Sequence, residues 1–577
     1  GIIAKFDKTS FDEYQIFSRI GEGSIGGKAR GLAFINRIIK NNKLFNKFPD
    51  VLITIPRTVV LSTDIFDEFM DQNNLYSIAL SDLTDDEILN RFVNAELPGH
   101  VYQDFYAFLS VSRNYPIAVR SSSKLEDSHY QPFAGIYSTY MIPRLPDNKQ
   151  MVKMLSDAIK EVYASVYYKV SKAYMTATAN VIDEEKMGII LQEVCGNRHR
   201  EIFYPTLSGV ARSINYYPIG SEKAEDGIVN IAFGLGKLIV EGGLSLRFSP
   251  KYPKKILQLS SPEAALRDSQ KEFCALDLNI NSFVPSTDDG VNILKIGIKD
   301  IENDVALKYV ASTYDRNNNI LRDGISHPGK RVITFSNILQ HKTFPLAEII
   351  STLLEIGQQE MNNPVEIEFA ANLETQAGTP KVFSFLQIRP IVHTEEAHNI
   401  NLDHIRREET IICSEAALGN GVFKGIYDLV YVKPESFNAA NNKTVAVEIE
   451  KINTMFVKQG KGYVLVGPGR WGSTDPWLGI PVKWPQISAA RIIIESGLKN
   501  YRIDPSQGTH FFQNLTSFRV GYFTINPYIN EGYYDVDFLN RLEAVYEDSL
   551  IRHVRFTNPL EIMIDGKKHR GVILKPI

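Results

Sequence analysis

The chain has 577 residues, 44% hydrophobic and 23% charged, with a formal net charge of −4. These are the proportions of an ordinary globular protein of several domains, and they exclude nucleic-acid or membrane binding through bulk electrostatics. Three scattered cysteines (Cys195, Cys274, Cys413) argue against a disulfide framework. With no apolar run near the roughly 18 residues that span a bilayer and no secretory pattern at the amino terminus, the expectation is a cytoplasmic protein.

Residues 21–40, GEGSIGGKARGLAFINRIIK, join a glycine-rich turn to a helix whose apolar face is Leu32, Ile35, Ile38 and Ile39. Gly26, Gly27 and Lys28 stand where that helix begins. Backbone donors at a helix start, with a lysine beside them, suit an anion. Simple glycine capping is the alternative, and the spacing is not G-x-x-x-x-G-K followed by Ser or Thr. Residues 51–61 read as a strand broken by Pro56, followed by a helix that Ser62, Thr63 or Asp64 can cap.

Residues 116–140, PIAVRSSSKLEDSHYQPFAGIYSTY, read as a short apolar strand ending on Arg120. A loop with Ser121, Ser122, Ser123 and Gly135 follows. An arginine fork with hydroxyls and free backbone N–H groups can hold a phosphate. A plain strand–loop junction with a solvated arginine is the alternative. The helical segment 148–176 carries Tyr163, Tyr167, Tyr168 and Tyr174, which read as packing. A continuous apolar strand then ends in Gln192, Glu193 and Val194, and a second opens at 207 with Ser208 and Gly209. Residues 228–243 read as a third strand, whose glycines mark close approach of a backbone or of a ligand.

The run 364–390, PVEIEFAANLETQAGTPKVFSFLQIRP, predicts two strands joined by a turn. Period-two alternation places Glu366 and Glu368 on one face, and Gln387 and Arg389 together on one face of the second strand. Two carboxylates beside an arginine suit a magnesium–triphosphate. A surface salt-bridge ladder is the alternative, because the sequence leaves the register open. Residues 394–408 turn polar and read as a linker. Beyond them, 409–577 reads as a separate α/β module, where Trp471, Trp477 and Trp484 all fall within a glycine-rich stretch containing Arg470. An anion cradle, a structural plug and a stacking surface all remain open for that stretch.

In one order the chain presents GGKARGLA, AVRSSSKLED with FAG, LQEV, LSGVARS, AFGLGKLIVEGG, and EIEF with LQIRP. This series resembles the amino-terminal nucleotide-binding domain of phosphoenolpyruvate synthase and pyruvate phosphate dikinase. The resemblance implies an α/β ATP-grasp fold of two lobes over residues 1–395, a linker over 396–408 and an unrecognised α/β module over 409–577. It implies ATP and Mg2+ as ligands of an ATP-dependent phosphotransferase. Lys28, Arg120 and Arg389 would be catalytic, contacting phosphates. Ser121 to Gly135 would cover the phosphates, and Gln192, Glu193 and Val194 would line the adenine pocket. Ser208 and Gly209 would lie near the nucleotide, and Gln387 would close on the phosphates with Arg389. Glu366 and Glu368 would face magnesium, Glu366 also lying near the nucleotide.

Two family features are missing from the sequence. No histidine sits in a G-G-x-(T/S)-(S/C)-H-A-type motif, and 409–577 is too short for a barrel of about 250 residues. The resemblance therefore implies an acceptor elsewhere, such as a phosphohistidine domain or protein acting in trans. His510, after Gly508 and Thr509, is the one local candidate acceptor, with structural packing as its alternative. Two further readings are an ATP-sensing module without turnover and a phosphotransferase acting on a small molecule or carbohydrate.

Overall fold

The computed structural model describes residues 16–112, 114–126, 134–178, 180–280, 284–391, 400–499 and 507–576. They form two units. The first comprises Gly1–Asn215, Gly220–Ile239 and Leu244–Ile391, and the second Tyr216–Ile219, Val240–Gly243 and Val392–Ile577. No helix among the described residues is long and apolar enough to cross a membrane.

The elements that build the first unit's site are, in chain order, β1 (Phe17–Ile20), α1 (Gly26–Asn41), β2 (Val51–Thr54), β3 (Thr58–Leu61), β4 (Ile117–Ser123), β5 (Thr139–Ile142), α2 (Asn148–Ser165) and β6 (Met187–Glu193). They continue with β7 (Leu207–Arg212), β8 (Ile228–Ala232), β9 (Leu246–Phe248), α3 (Leu346–Met361), β10 (Val365–Asn372) and β11 (Lys381–Pro390). Five of the strands make a sheet in the order β1-β3-β6-β4-β5, and six make a second in the order β9-β8-β7-β10-β11-β2. The architecture is mixed α/β.

Helix α1 buries the apolar face read from its spacing, and it packs on β4 of one sheet and β11 of the other. Gly31 permits this approach, since a Cβ there would stand 2.8 Å from the Ile388 carbonyl oxygen. Ile350, Leu353 and Leu354 of α3 share one apolar core with Ile367, Phe369, Phe383 and Ile388 of β10 and β11. Each such side chain contributes about 1.5–3 kcal/mol through burial. On α2, Tyr163 meets Phe66 edge-on at 5.1 Å, and the tyrosines at 163, 167, 168 and 174 are all buried.

Two local expectations change. The three serines after Arg120 belong to β4, not to a loop. Ser121, Ser122 and Ser123 pair with Ile189, Gly188 and Met187 of β6 and are fully buried. The proposed third strand over 228–243 stops at Ala232, and a short helix, Lys237–Val240, follows. Gly234 turns the chain between them at φ +87°, where a Cβ would lie 2.7 Å from the Cys274 carbonyl oxygen. That glycine answers to a neighbouring backbone. Residues 127–133, the middle of the stretch expected to cover phosphates, lie outside the described residues.

The second unit contains β12 (Asp428–Val432), α4 (Asn442–Gln459), β13 (Tyr463–Pro468), β14 (Ala490–Ser496), α5 (His510–Ser517) and β15 (Gly521–Ile525). The strands lie side by side as β15-β14-β13-β12, all parallel, within a seven-stranded sheet. Within the stretch read as a linker, Leu402 and Ile405 are buried in a small core with Cys413 and Val572. Trp471 and Trp484 are buried, and Trp484 stacks on Phe518 at 5.0 Å, whereas Trp477 is 70% exposed. For two of the three tryptophans the structural reading holds.

Candidate functional site

The register between β10 and β11 decides which side chains meet. Glu366 stands opposite Arg389, and Glu368 opposite Gln387, just before a bulge at Glu368 and Phe369. The Arg389 guanidinium therefore reaches both carboxylates. Its Nε lies 2.8 Å from Glu366 Oε2 and its Nη2 lies 2.6 Å from Glu368 Oε1. On the other side of β10, Arg212 of β7 is the registered neighbour of Glu366, with Nη1 3.6 Å from Oε1. Glu366 is thus a buried acid between two arginines. Burial pushes its carboxyl above the usual carboxylate range, while Arg389 and then Arg212 pull it down.

Arg120 joins the two sheets. It projects from β4, donating from Nη1 to Gln192 Oε1 at 3.0 Å and to the Leu386 carbonyl at 3.1 Å. From Nη2 it donates to Gln387 Oε1 at 2.9 Å. Gln192 is held in turn, its Nε2 donating to Thr58 Oγ1 at 2.9 Å. The structure therefore brings Arg120 and Gln192 of one sheet into a network with Gln387, which lies on the hairpin that carries the Glu366–Arg389 pair.

Lys28 lies at the start of α1, as its sequence context predicted. Its ammonium contacts Glu126 Oε2 at 2.8 Å and donates to Ser121 Oγ at 3.0 Å. Ser122 ties the helix start to β4, accepting from the Ala29 amide at 3.0 Å and donating to the Ile25 carbonyl at 2.7 Å. Glu126 is fixed by an exchange with Ser123. Its Oε1 accepts from the Ser123 amide at 3.0 Å, and its own amide donates to Ser123 Oγ at 3.0 Å. Nearby, Glu185 accepts from the Tyr137 hydroxyl at 2.7 Å and from the Leu125 amide at 3.2 Å. Burial pushes the Glu185 carboxyl up to about 7.

Other expected residues have structural duties. Ser208 Oγ donates to the Gly234 carbonyl at 2.8 Å, and Gly209 admits the Phe369 ring, which a Cβ would meet at 2.2 Å. Glu193 ends β6 and Val194 follows it, their amides donating to the carbonyls of Arg57 and Pro116. Gly135, at φ +69°, borders the part of the loop outside the described residues. His510 is the first residue of α5 in the second unit, whose N-cap is Thr509.

Sequence reasoning gave no role to Arg212, Glu126 or Glu185. For Arg212 the signal was present: LSGVAR ends an apolar strand on an arginine, as AVR does at Arg120. Among the described residues no group of three or more His, Cys, Asp or Glu side chains is placed to hold a metal ion. A magnesium ion needs only one or two carboxylates when phosphate and water supply the rest. Glu368, with a fifth of its side chain exposed and Oε1 held by Arg389, fits that set by sharing or yielding that one contact. Glu366, engaged by Arg389 and Arg212, fits only by giving one of them up. Chemically, the site offers three guanidinium groups, an ammonium and amide donors around a small acidic pair, an arrangement suited to a polyanion with a cation.

Comparison with known proteins agrees with this chemistry. The AMP/ATP-binding domain of pyruvate phosphate dikinase matches residues 22–410. An uncharacterized phosphotransferase of Bacillus subtilis (strain 168), YvkC, is 27% identical over 193 residues, which is 33% of this chain and 21% of that relative. Most of that relative's length thus lies outside the match.

Proposed function

The chain belongs to the pyruvate phosphate dikinase AMP/ATP-binding domain family, and we propose that it transfers a phosphoryl or pyrophosphoryl group from Mg-ATP to an acceptor outside residues 1–395. The observation that carries this reading is the register-set meeting of Arg389, Glu366, Glu368 and Gln387 with Arg120 from the other sheet. Arg389 and Gln387 take the distal phosphates, and Arg120 anchors the hairpin and contributes phosphate charge. Lys28 exchanges its Glu126 partner for a phosphate oxygen. Ser121 and Gly135 border the phosphates, while Gln192, Glu193, Val194, Ser208 and Gly209 lie toward the base.

Glu368, with Glu366 behind it, holds magnesium, which neutralises phosphate charge when bound. The chain's own residues act by positioning and by preorganised charge, which is where phosphoryl-transfer enzymes obtain most of their acceleration. The acceptor is a histidine or another nucleophile supplied by a further domain, a partner protein or a small molecule. His510 is the candidate within the described residues.

Calorimetric titration with ATP, with and without magnesium, tests the binding half. Incubation with β- and γ-labelled ATP tests transfer. Saturable ATP binding and an acid-labile label lost in His510→Ala would identify the acceptor. Binding with neither turnover nor label would favour an ATP-sensing module, and no binding at all would sink the reading.

A further inference from the structure

Three neighbouring strands place Arg212, Glu366 and Arg389 in one row across the second sheet. Arg212 is the bulkiest side chain among the fully buried described residues, at 1% exposure. Taking a guanidinium out of water costs several kcal/mol unless it is well paired, and an apolar side chain of similar volume is often as stable there. The acid that the register sets beside it is Glu366, with Arg212 Nη1 3.6 Å from Glu366 Oε1.

Without Arg212, both oxygens of Glu366 would compete for Arg389. The carboxylate would draw the guanidinium into a two-oxygen grip and away from Glu368. The row would also change in charge. Two arginines now balance Glu366 and Glu368, and removing one leaves an excess acid beside the place where phosphate charge must sit.

We propose that Arg212 is a positioning residue for recognition of the distal phosphates: by holding Glu366 Oε1 it keeps Arg389 extended toward Glu368 and toward the β- and γ-phosphates. This rests on the nucleotide reading above and adds a residue that acts through Arg389 without touching substrate. A general structural role for Arg212 would weaken every nucleotide alike. A positioning role singles out those with distal phosphates.

The test is calorimetric binding of ATP and of AMP to the full chain, each with magnesium and with chelator. In Arg212→Met, ATP affinity should fall about tenfold or more while AMP affinity stays within about twofold, in both conditions. Arg212→Lys keeps the charge without the fork and should fall between wild type and Arg212→Met. Equal loss for ATP and AMP, or an unchanged ratio, overturns the proposal. Where Arg212→Met does not fold, the Lys variant decides: a change in the ATP-to-AMP ratio of about threefold or more supports it, and an unchanged ratio overturns it. A wild-type chain that binds neither nucleotide sinks the nucleotide reading itself, a result distinct from an unchanged ratio.

Discussion

Arg389 stands directly opposite Glu366 across two antiparallel strands, and from there its guanidinium also holds Glu368 on the same strand as Glu366. Arg389 and Glu366 are both nearly inaccessible to solvent. Removing the cation takes from both acids the guanidinium they share, while Arg212 stays beside Glu366. Losing one partner of a buried pair costs about 3–5 kcal/mol, mostly through the uncompensated charge left behind. Arg389→Met should therefore lower the unfolding free energy by about that amount, and adding Glu366→Gln and Glu368→Gln should recover part of it. Urea unfolding of the single and combined variants measures this. A loss below about 1 kcal/mol would mean the carboxylates are solvated and the pairing is incidental.

Arg120→Lys keeps the charge but cannot reach Gln192, Gln387 and the Leu386 carbonyl together. The bonds to Gln387 and the Leu386 carbonyl link the two sheets, so the expected cost is about 1–3 kcal/mol of stability. ATP affinity should fall about tenfold, because Gln387 and the hairpin lose their anchor. Equilibrium binding checks the second effect. Wild-type affinity in a folded Arg120→Lys protein would show that the network is structural only.

Much of this site was legible because charge interrupts apolar strands at particular positions. Arg120, Arg389, Glu366 and Glu368 each break a hydrophobic pattern, and Lys28 follows a glycine pair at a helix start. Period two put Gln387 and Arg389 on one face, but not opposite specific partners. Register depends on backbone pairing and on the bulge after Glu368, which side-chain alternation does not encode. Arg212 was missed because its partner lies on a strand far along the chain. The serines after Arg120 looked like loop residues by composition, yet pairing with β6 and bonds to the α1 start override that preference. Leu402 and Ile405 were hidden in a polar run, where two apolar residues suffice to dock it.

Gly26 is the backbone hinge on which the Lys28 position depends. Its φ is +78°, and a Cβ would stand 1.8 Å from the Ser122 carbonyl oxygen. Alanine there adds left-handed strain of about 1–2 kcal/mol to a clash that only backbone movement relieves. Gly26→Ala should destabilise the first unit by about 3 kcal/mol or more and displace Lys28 from Ser121. Gly99→Ala is the control, since nothing lies within 4 Å of a Cβ there. Similar melting behaviour of the two variants would refute the argument.

Glu495 supplies a pH test in the second unit. It lies near the end of β14, 5% exposed, with Oε2 accepting from the Trp471 amide at 2.6 Å. Burial pushes the carboxyl from 4.5 up to about 8, against weaker opposing effects of the Trp471 amide and Arg470. Because the folded pKa is raised, the folded chain keeps a proton that the unfolded chain releases above pH 4.5. The folded state then binds more protons, so stability must fall with rising pH through that window, by about 1.4 kcal/mol per pH unit at most. Below the window both states are protonated, and above pH about 8 both are ionised, so the loss levels off. Glu495→Gln cannot titrate and retains an oxygen for the Trp471 amide. Its stability relative to wild type should therefore rise from about pH 5 to about pH 8 and then stay flat. Comparing the two chains cancels slopes from other buried acids, such as Glu161 and Glu185, whose carboxyls burial also raises. Urea unfolding followed by tryptophan fluorescence at several pH values measures the difference. A difference that does not change with pH would show that Glu495 titrates as an ordinary solvated carboxylate.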